Sequence, residues 1–431
     1  MTQQDDDQAP AGSTSRRGFM AAAVGTAGLI AGGAAGYGVA RADDGAGSDD
    51  SGFDHESQFS AVPFYGKHQA GIATSAQDRL AFAAFDLGDG VSVDAVRTLM
   101  AQWAAAGAQL TQGKPVGAVE ISPAAPPIDT GEAFGLPASN LTITVGFGPT
   151  FFDKLGLGRF KPAALRPIPA LPPADRLDPA ISNGDIGVQA CANDPQVAFH
   201  VIRNFARIAR GTAVMRWSQL GFGKTASTST HQATPRNLMG FKDGTNNIKL
   251  ESTQELDDFV WVGDETDQKW MIGGSYLVTR RIRMLIESWD TDFLADQEAV
   301  FGRVKDTGAP LTGKKEFDAP DLTAKDDEGN LVIDANAHIR LAAPATNDGQ
   351  MILRRGYSYT DGNDPRTGYL DAGLFFICFQ KNAHKQFVPI QRRLGLNDLL
   401  NEYILHTSSA LFAVPPGLRA AGDYYGKAIL G

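Results

Sequence analysis

Cysteine is nearly missing from this chain: Cys191 and Cys378 are the only two in 431 residues. That excludes a disulfide framework, a cysteine zinc cluster and an iron–sulfur centre. Both lie among apolar, strand-like residues, where a free thiol behaves as a small hydrophobe, so two unpaired thiols are expected. Positive charge is also in short supply. Lysine and arginine number 39 against 49 acidic residues, a net charge of −10, which argues against a nucleic-acid partner. Nor is there a long, greasy run. The stretch from Ala21 to Val39 is broken by glycines and poor in leucine, so no permanent membrane anchor is expected.

That weakly apolar stretch has the flanks of an export signal. Ser15-Arg16-Arg17-Gly18-Phe19-Met20 forms a twin-arginine pattern ahead of it, and Ala40-Arg41-Ala42 a cleavage-like triplet behind it. We read 1–42 as a twin-arginine signal peptide, a route that carries folded proteins, and 43–60 as a solvated acidic tail. The mature chain is then expected in the periplasm, outside the cell or at the cell envelope.

From about residue 61, strand-like and helix-like patterns alternate. Gln69 to Thr74 and Leu80 to Leu87 read as strands, Val93 to Ala106 as a helix capped by Ser92, and Leu141 to Phe147 as a strand. A proline-rich connection occupies 162–179. Asp185 to Cys191 and Ala213 to Phe222 read as strands on either side of a helix opened by Asp194-Pro195 and ending at Ile208. The second half repeats the plan, with a strand from Ser275 to Glu287, a helix from Asp290 to Phe301, a strand from Leu374 to Gln380, a helix from Ala383 to Leu394 and a further helix from Leu399. Asp185-Ile186-Gly187-Val188 and Asp371-Ala372-Gly373-Leu374 open matching segments, each running through a cysteine into a helix. The pattern supports an α+β fold of two ferredoxin-like units, 61–230 and 231–431.

The segment Gly240-Phe241-Lys242-Asp243-Gly244-Thr245-Asn246-Asn247 fixes one carboxylate on a tight backbone, because both glycines tolerate positive φ and Asp-Gly is a strong turn pair. An isolated Asp-Gly is usually just a surface turn. The longer string resembles the signature of the dye-decolorizing (DyP-type) haem peroxidases, and the chain as a whole looks like their twin-arginine-exported deferrochelatase/peroxidase branch. In Ala335-Asn336-Ala337-His338-Ile339-Arg340-Leu341, His338 matches the family's proximal haem ligand; spacing alone does not single it out among seven histidines. Arg340, beside it, is a natural partner for a haem propionate. In Ile352-Leu353-Arg354-Arg355-Gly356-Tyr357, Arg354 matches the distal arginine, and strand alternation turns Arg355 the other way. Leu374 and Phe376, on one strand face, resemble the apolar distal pair that narrows access to peroxide-sized molecules.

The resemblance implies a two-unit fold with a haem cavity in the C-terminal unit and one haem b per chain. No Cys-x-x-Cys-His segment is present to attach it covalently. It also implies hydrogen peroxide as one substrate, Asp243 as the acid–base group and Arg354 as the distal cation. A reducing substrate too large for the distal pocket would give up its electrons at the haem edge or through a surface Tyr or Trp. An aspartic acid titrates in the acidic range, so an acidic optimum is expected. Gln380-Lys381-Asn382 stands where some relatives carry an Asp for the proximal imidazole; an amide or carbonyl there would polarise His338 more weakly than a carboxylate, and which group orients it stays open. Two functions stay open: a peroxidase, or a haem-handling protein that releases iron and works with iron-uptake proteins. A haem carrier without turnover is a third, and homo-oligomerisation is open as well.

Overall fold

The computed structural model describes residues 60–171 and 175–431. The expected signal peptide and all but the last residue of the expected acidic tail lie outside them. The first half runs β1 (Arg79–Leu87), a helix (Val93–Leu110), β2 (Thr142–Phe147), β3 (Ile186–Ala192), a second helix (Pro195–Ile208) and β4 (Ala213–Lys224). Both helices start where their caps dictate. The Ser92 side chain accepts from the Ala95 amide, and the Asp194 side chain from Gln196 and Val197 ahead of Pro195 in the first turn. The four strands lie in the order β2-β3-β1-β4, all antiparallel.

The second half repeats that order. It holds β5 (Ser275–Met284), a helix (Leu294–Phe301), β6 (Leu353–Arg354), β7 (Tyr357–Asn363), β8 (Leu370–Gln380), a helix (Phe387–Asn397) and β9 (Ile404–Val414). The strands β6 and β7 pair in succession along β8, which itself pairs with β5, and β5 pairs with β9. Two seams join the halves: Phe147 of β2 faces Ala413 of β9, and Phe222 and Lys224 of β4 face Ser358 and Tyr357 of β7. The result is a closed antiparallel barrel, the α+β arrangement expected from the sequence.

Strand alternation then assigns two faces. The barrel interior is packed with aromatics, where Phe82 lies 5.3 Å from Trp217, 5.5 Å from Phe375 and 6.1 Å from Phe412 between ring centres. Such buried rings contribute roughly 1.5–3 kcal/mol each through burial. Outside the first half, the two long helices bury Trp103 stacked on Phe205 at 4.8 Å. Outside the second half, the strands face a cavity. Cys191 and Cys378 are free and buried, as expected. No helix among the described residues is long and apolar enough to cross a membrane.

Two elements depart from the sequence reading. Residues 69–74 form a turn, because Gly71 takes φ +93 and a Cβ there would come within 2.5 Å of Thr144 Oγ1. The helix expected from Leu399 is a single 3₁₀ turn, Leu399–Glu402, followed by β9. β9 is flanked by β5 and β2 and is buried over most of its length, so its apolar run carries no period that separates strand from helix.

Candidate active site

A cavity of about 700 Å³ opens on the outer face of the second half, within the size range of small-molecule and cofactor sites. Its floor is set by register. Ile282 of β5 pairs with Leu374 of β8 on one side and His406 of β9 on the other, and all three line the cavity with Phe376. Leu374 and Phe376 are half-buried, whereas Phe375 and Ile377 between and beyond them are fully buried in the barrel.

Asp243 and Arg354 meet in this cavity. The Arg354 Nη1 donates to Asp243 Oδ1 at 2.6 Å, with 27% and 18% of the two side chains exposed. Each is held by its own backbone. Gly240 and Gly244 take φ of +85 and +87, and a Cβ on Gly244 would lie 2.7 Å from Ala226 Cα, so the loop passes where only glycine fits. Asn247 closes the loop against β6, accepting from the Arg354 amide at 2.8 Å and donating to the Arg354 carbonyl at 2.8 Å. Arg355 points the other way and is fully buried, donating to the Thr74 and Ser75 carbonyls and the Gln77 amide oxygen.

His338 begins the short helix His338–Ala342 and lines the same cavity. Its Nδ1 lies 2.6 Å from Asp398 Oδ2, and Asp398 is 3% exposed with Oδ1 accepting from the Leu400 amide at 2.9 Å. Burial opposes charge on this imidazole, but the Asp398 carboxylate outweighs it and holds the histidine above its ordinary range. Phe301 touches both sides of the site, stacked 4.1 Å from Phe241 and edge-on 6.0 Å from His338.

This arrangement supplies the proximal hydrogen bond that the sequence left open. Gln380 is spent on the Tyr276 carbonyl and Asn382 on the His384 amide, whereas Asp398 reaches His338 from 60 residues away. The acceptor is a carboxylate. No local pattern points to it, since Asp398 also caps the turn that follows. Arg340 lies apart from the other predicted residues: its guanidinium donates to the Ile333 and Asp334 carbonyls, and it is not in the cavity wall. Arg303 does line the wall, donating to the Gly308 and Glu316 carbonyls. His406 lies in β9 and is the other histidine facing the cavity.

The wall fits a flat, apolar, iron-bearing macrocycle. It is apolar at Leu374, Phe376, Phe387 and Ile390, and it presents one imidazole whose Nδ1 is engaged, leaving Nε2 for coordination.

Fold and site together define a class of enzyme. Family models for Dyp-type peroxidase, N-terminal, and Dyp-type peroxidase, C-terminal, match residues 69–223 and 234–419, and the chain belongs to the Dyp-type peroxidase family. Over 378 residues it is 39% identical to the deferrochelatase of Escherichia coli (strain K12), covering 85% of this chain and 87% of that one. Among solved structures it is similar to DtpA from Streptomyces lividans, solved as an oxyferrous/water mixed complex, with a TM-score of 0.80, 40% identity and coverage of 87% of this chain and 98% of that chain. A DyP-type peroxidase from Cellulomonas bogoriensis gives a TM-score of 0.78 and 39% identity over 86% of this chain and 99% of that one.

Proposed function

We propose that the chain is a haem peroxidase that reduces hydrogen peroxide while oxidising dyes, phenols or other reductants. The observation that carries this is the Asp243–Arg354 pair in one cavity with a carboxylate-held imidazole. His338 would hold the iron of one non-covalent haem b through Nε2, and Asp398, by accepting from Nδ1, fixes the tautomer that leaves the Nε2 lone pair free. When bound, haem supplies the redox-active iron at which peroxide is reduced.

Asp243, as the carboxylate, accepts the proton from one peroxide oxygen and returns it to the other, which leaves as water. Arg354 meets the negative charge that develops on the departing oxygen as the O–O bond lengthens. Two electrons and two further protons then yield the second water. Leu374 and Phe376 hold the opening to peroxide-sized molecules, so the bulky reductant is oxidised outside the distal pocket.

A second reading is favoured by the name of the Escherichia coli relative, deferrochelatase: the same site would handle haem and release its iron, with iron-uptake proteins as partners. Haem-loaded protein given peroxide and a dye, and separately a reductant alone, separates the two. Peroxide-dependent bleaching supports the peroxidase, and metal-free porphyrin formed by the reductant alone supports iron release. Replacing Asp243 by Asn is expected to slow the peroxide step by roughly a hundredfold; an unchanged rate would remove Asp243 from the mechanism. We extend the proposal to twin-arginine export into the periplasm or beyond. We also extend it to units at 61–230 and 231–431, supported by family models that part between residues 223 and 234.

A further inference from the structure

The segment 304–334 runs from Arg303 back to the His338 helix and contributes Glu316, Phe317, Asp318, Ala319, Pro320 and Leu322 to the cavity wall. It is tied to the distal loop at one side chain. Glu316 Oε2 accepts from Lys242 Nζ at 2.5 Å and Oε1 from Thr245 Oγ1 at 3.1 Å, so a single carboxylate grips the residue before Asp243 and the residue after Gly244. The Glu316 side chain is 11% exposed and that of Lys242 is 25% exposed. Burial opposes charge on Glu316, but hydrogen bonds from Lys242, Thr234 and Thr245 hold its carboxyl below the ordinary glutamate range. The backbone fits as closely. Gly308 takes φ +77, and a Cβ on it would meet Lys242 Cδ at 2.7 Å, while Arg303 holds both the Gly308 and Glu316 carbonyls at 2.6 and 3.1 Å.

Resting on the peroxidase reading, we propose that Glu316 is a positioning residue for Asp243, latching the 304–334 wall onto the acid-bearing loop from both sides of the carboxylate. The distal loop has anchors on its far end as well: Asn247 fixes it to Arg354, and Lys249 Nζ donates to the Ser227 carbonyl and hydroxyl at 2.9 and 2.6 Å. Between Gly240 and Gly244 the backbone makes a single antiparallel bridge, Arg236 opposite Lys242, with the Asp243 amide donating to the Pro235 carbonyl at 2.9 Å, and the Glu316 bonds to Lys242 and Thr245 add a side-chain bracket around the catalytic position. Without them, Asp243 keeps its attraction to Arg354 and its amide bond to Pro235 but loses the tie to the 304–334 wall on either side of it. A misplacement of about 1 Å costs on the order of a hundredfold in rate.

The test compares Glu316→Ala, Glu316→Gln, Asp243→Asn and, as a control on the same segment, Glu328→Ala, all haem-loaded. Glu316→Ala is expected to slow the peroxide step by about tenfold to a hundredfold, with the KM for the reductant and the haem content unchanged. Glu316→Gln, which keeps an acceptor for Thr245, should recover part of the rate, and Glu328→Ala all of it. Hydrogen exchange on the haem-free chain gives a readout independent of turnover, and amides 240–247 should exchange faster in Glu316→Ala. If Asp243→Asn slows the peroxide step and Glu316→Ala does not, the latch is wrong while the peroxidase reading stands. If neither slows it, Asp243 leaves the mechanism and the latch, with nothing to position, falls with it. Should Glu316→Ala fail to fold, Thr245→Val and Lys242→Met remove the same bonds from the other side; wild-type rates in both would overturn the latch.

Discussion

The side chain of Asn247 pairs with the backbone of Arg354 as a neighbouring strand would, accepting one bond from the amide and donating one to the carbonyl, each at 2.8 Å. Asn247 is 6% exposed and also donates to the Ser227 carbonyl at 3.0 Å. One amide group thereby joins the acid-bearing loop to the strand that carries the distal cation. The three residues between Asp243 and Asn247 make that reach possible.

Replacing Asn247 by Ala strands the Arg354 amide and carbonyl, and a buried unsatisfied polar group costs about 1–3 kcal/mol. Urea denaturation should show a loss of that size, and the peroxide step should slow along with it. A variant of wild-type stability would mean that water or a shifted backbone takes the place of the amide.

His338→Ala should leave the purified protein largely without haem, seen as loss of the Soret band. Asp398→Asn keeps the volume but replaces the carboxylate that orients Nδ1, and loss of such a partner typically costs about 10–100-fold in metal affinity or activity. Haem titration into the apo chain measures it. Full occupancy and an unaltered spectrum in His338→Ala would remove that residue as the ligand.

Phe376 is half-buried in the cavity floor and packs 6.0 Å from Phe387. Truncating it to Ala widens the pocket at the proposed sieve. A bulky organic hydroperoxide should gain on hydrogen peroxide by about tenfold or more in kcat/KM, the scale of discrimination that a small change in an apolar pocket carries. An unchanged ratio would place the size limit elsewhere.

His406 gives the chain an acid sensitivity. It is 1% exposed, and burial first, then the neighbouring Arg280 charge, push its pKa well below the ordinary histidine value. The folded chain keeps it neutral, whereas the unfolded chain takes up a proton below about pH 6.5, so the unfolded state binds more protons there. Stability is therefore complete above that value and falls as the pH drops through it. In His406→Gln this part of the loss should vanish, as thermal melts of both proteins at pH 7 and pH 5 would show. Equal losses in the two would assign the acid limb to other groups.

Much of this was legible in the sequence, and the parts that were not share a cause. The helices that open at Ser92 and Asp194 announce themselves by local caps, and the alternation of Leu374, Phe375 and Phe376 assigns faces before any fold is known. Asp398 and Glu316 carry no such mark. Their roles come from contacts across 60 and 71 or more residues, and a carboxylate before a turn or in a polar loop reads the same whether or not an imidazole or an ammonium meets it. β9 was missed for a related reason: a strand buried on both sides has lost the period of two that would name it. Arg340 is engaged by contacts the sequence does not show, the Ile333 and Asp334 carbonyls of the segment before its helix.

The two seams of the barrel are short, one register pair between β2 and β9 and two between β4 and β7, yet they are what lets the ring close. Cut the chain between the halves and each fragment becomes an open sheet with bare edges and an aromatic face, Phe82 and Trp217 on one and Phe375 and Phe412 on the other, stripped of its cover. Unpaired edges of that kind invite pairing with whatever strand is nearest. Separately expressed halves would accordingly be prone to self-association or aggregation, and co-expression, which restores each edge to its natural mate, is the condition under which a split version of this enzyme should remain soluble.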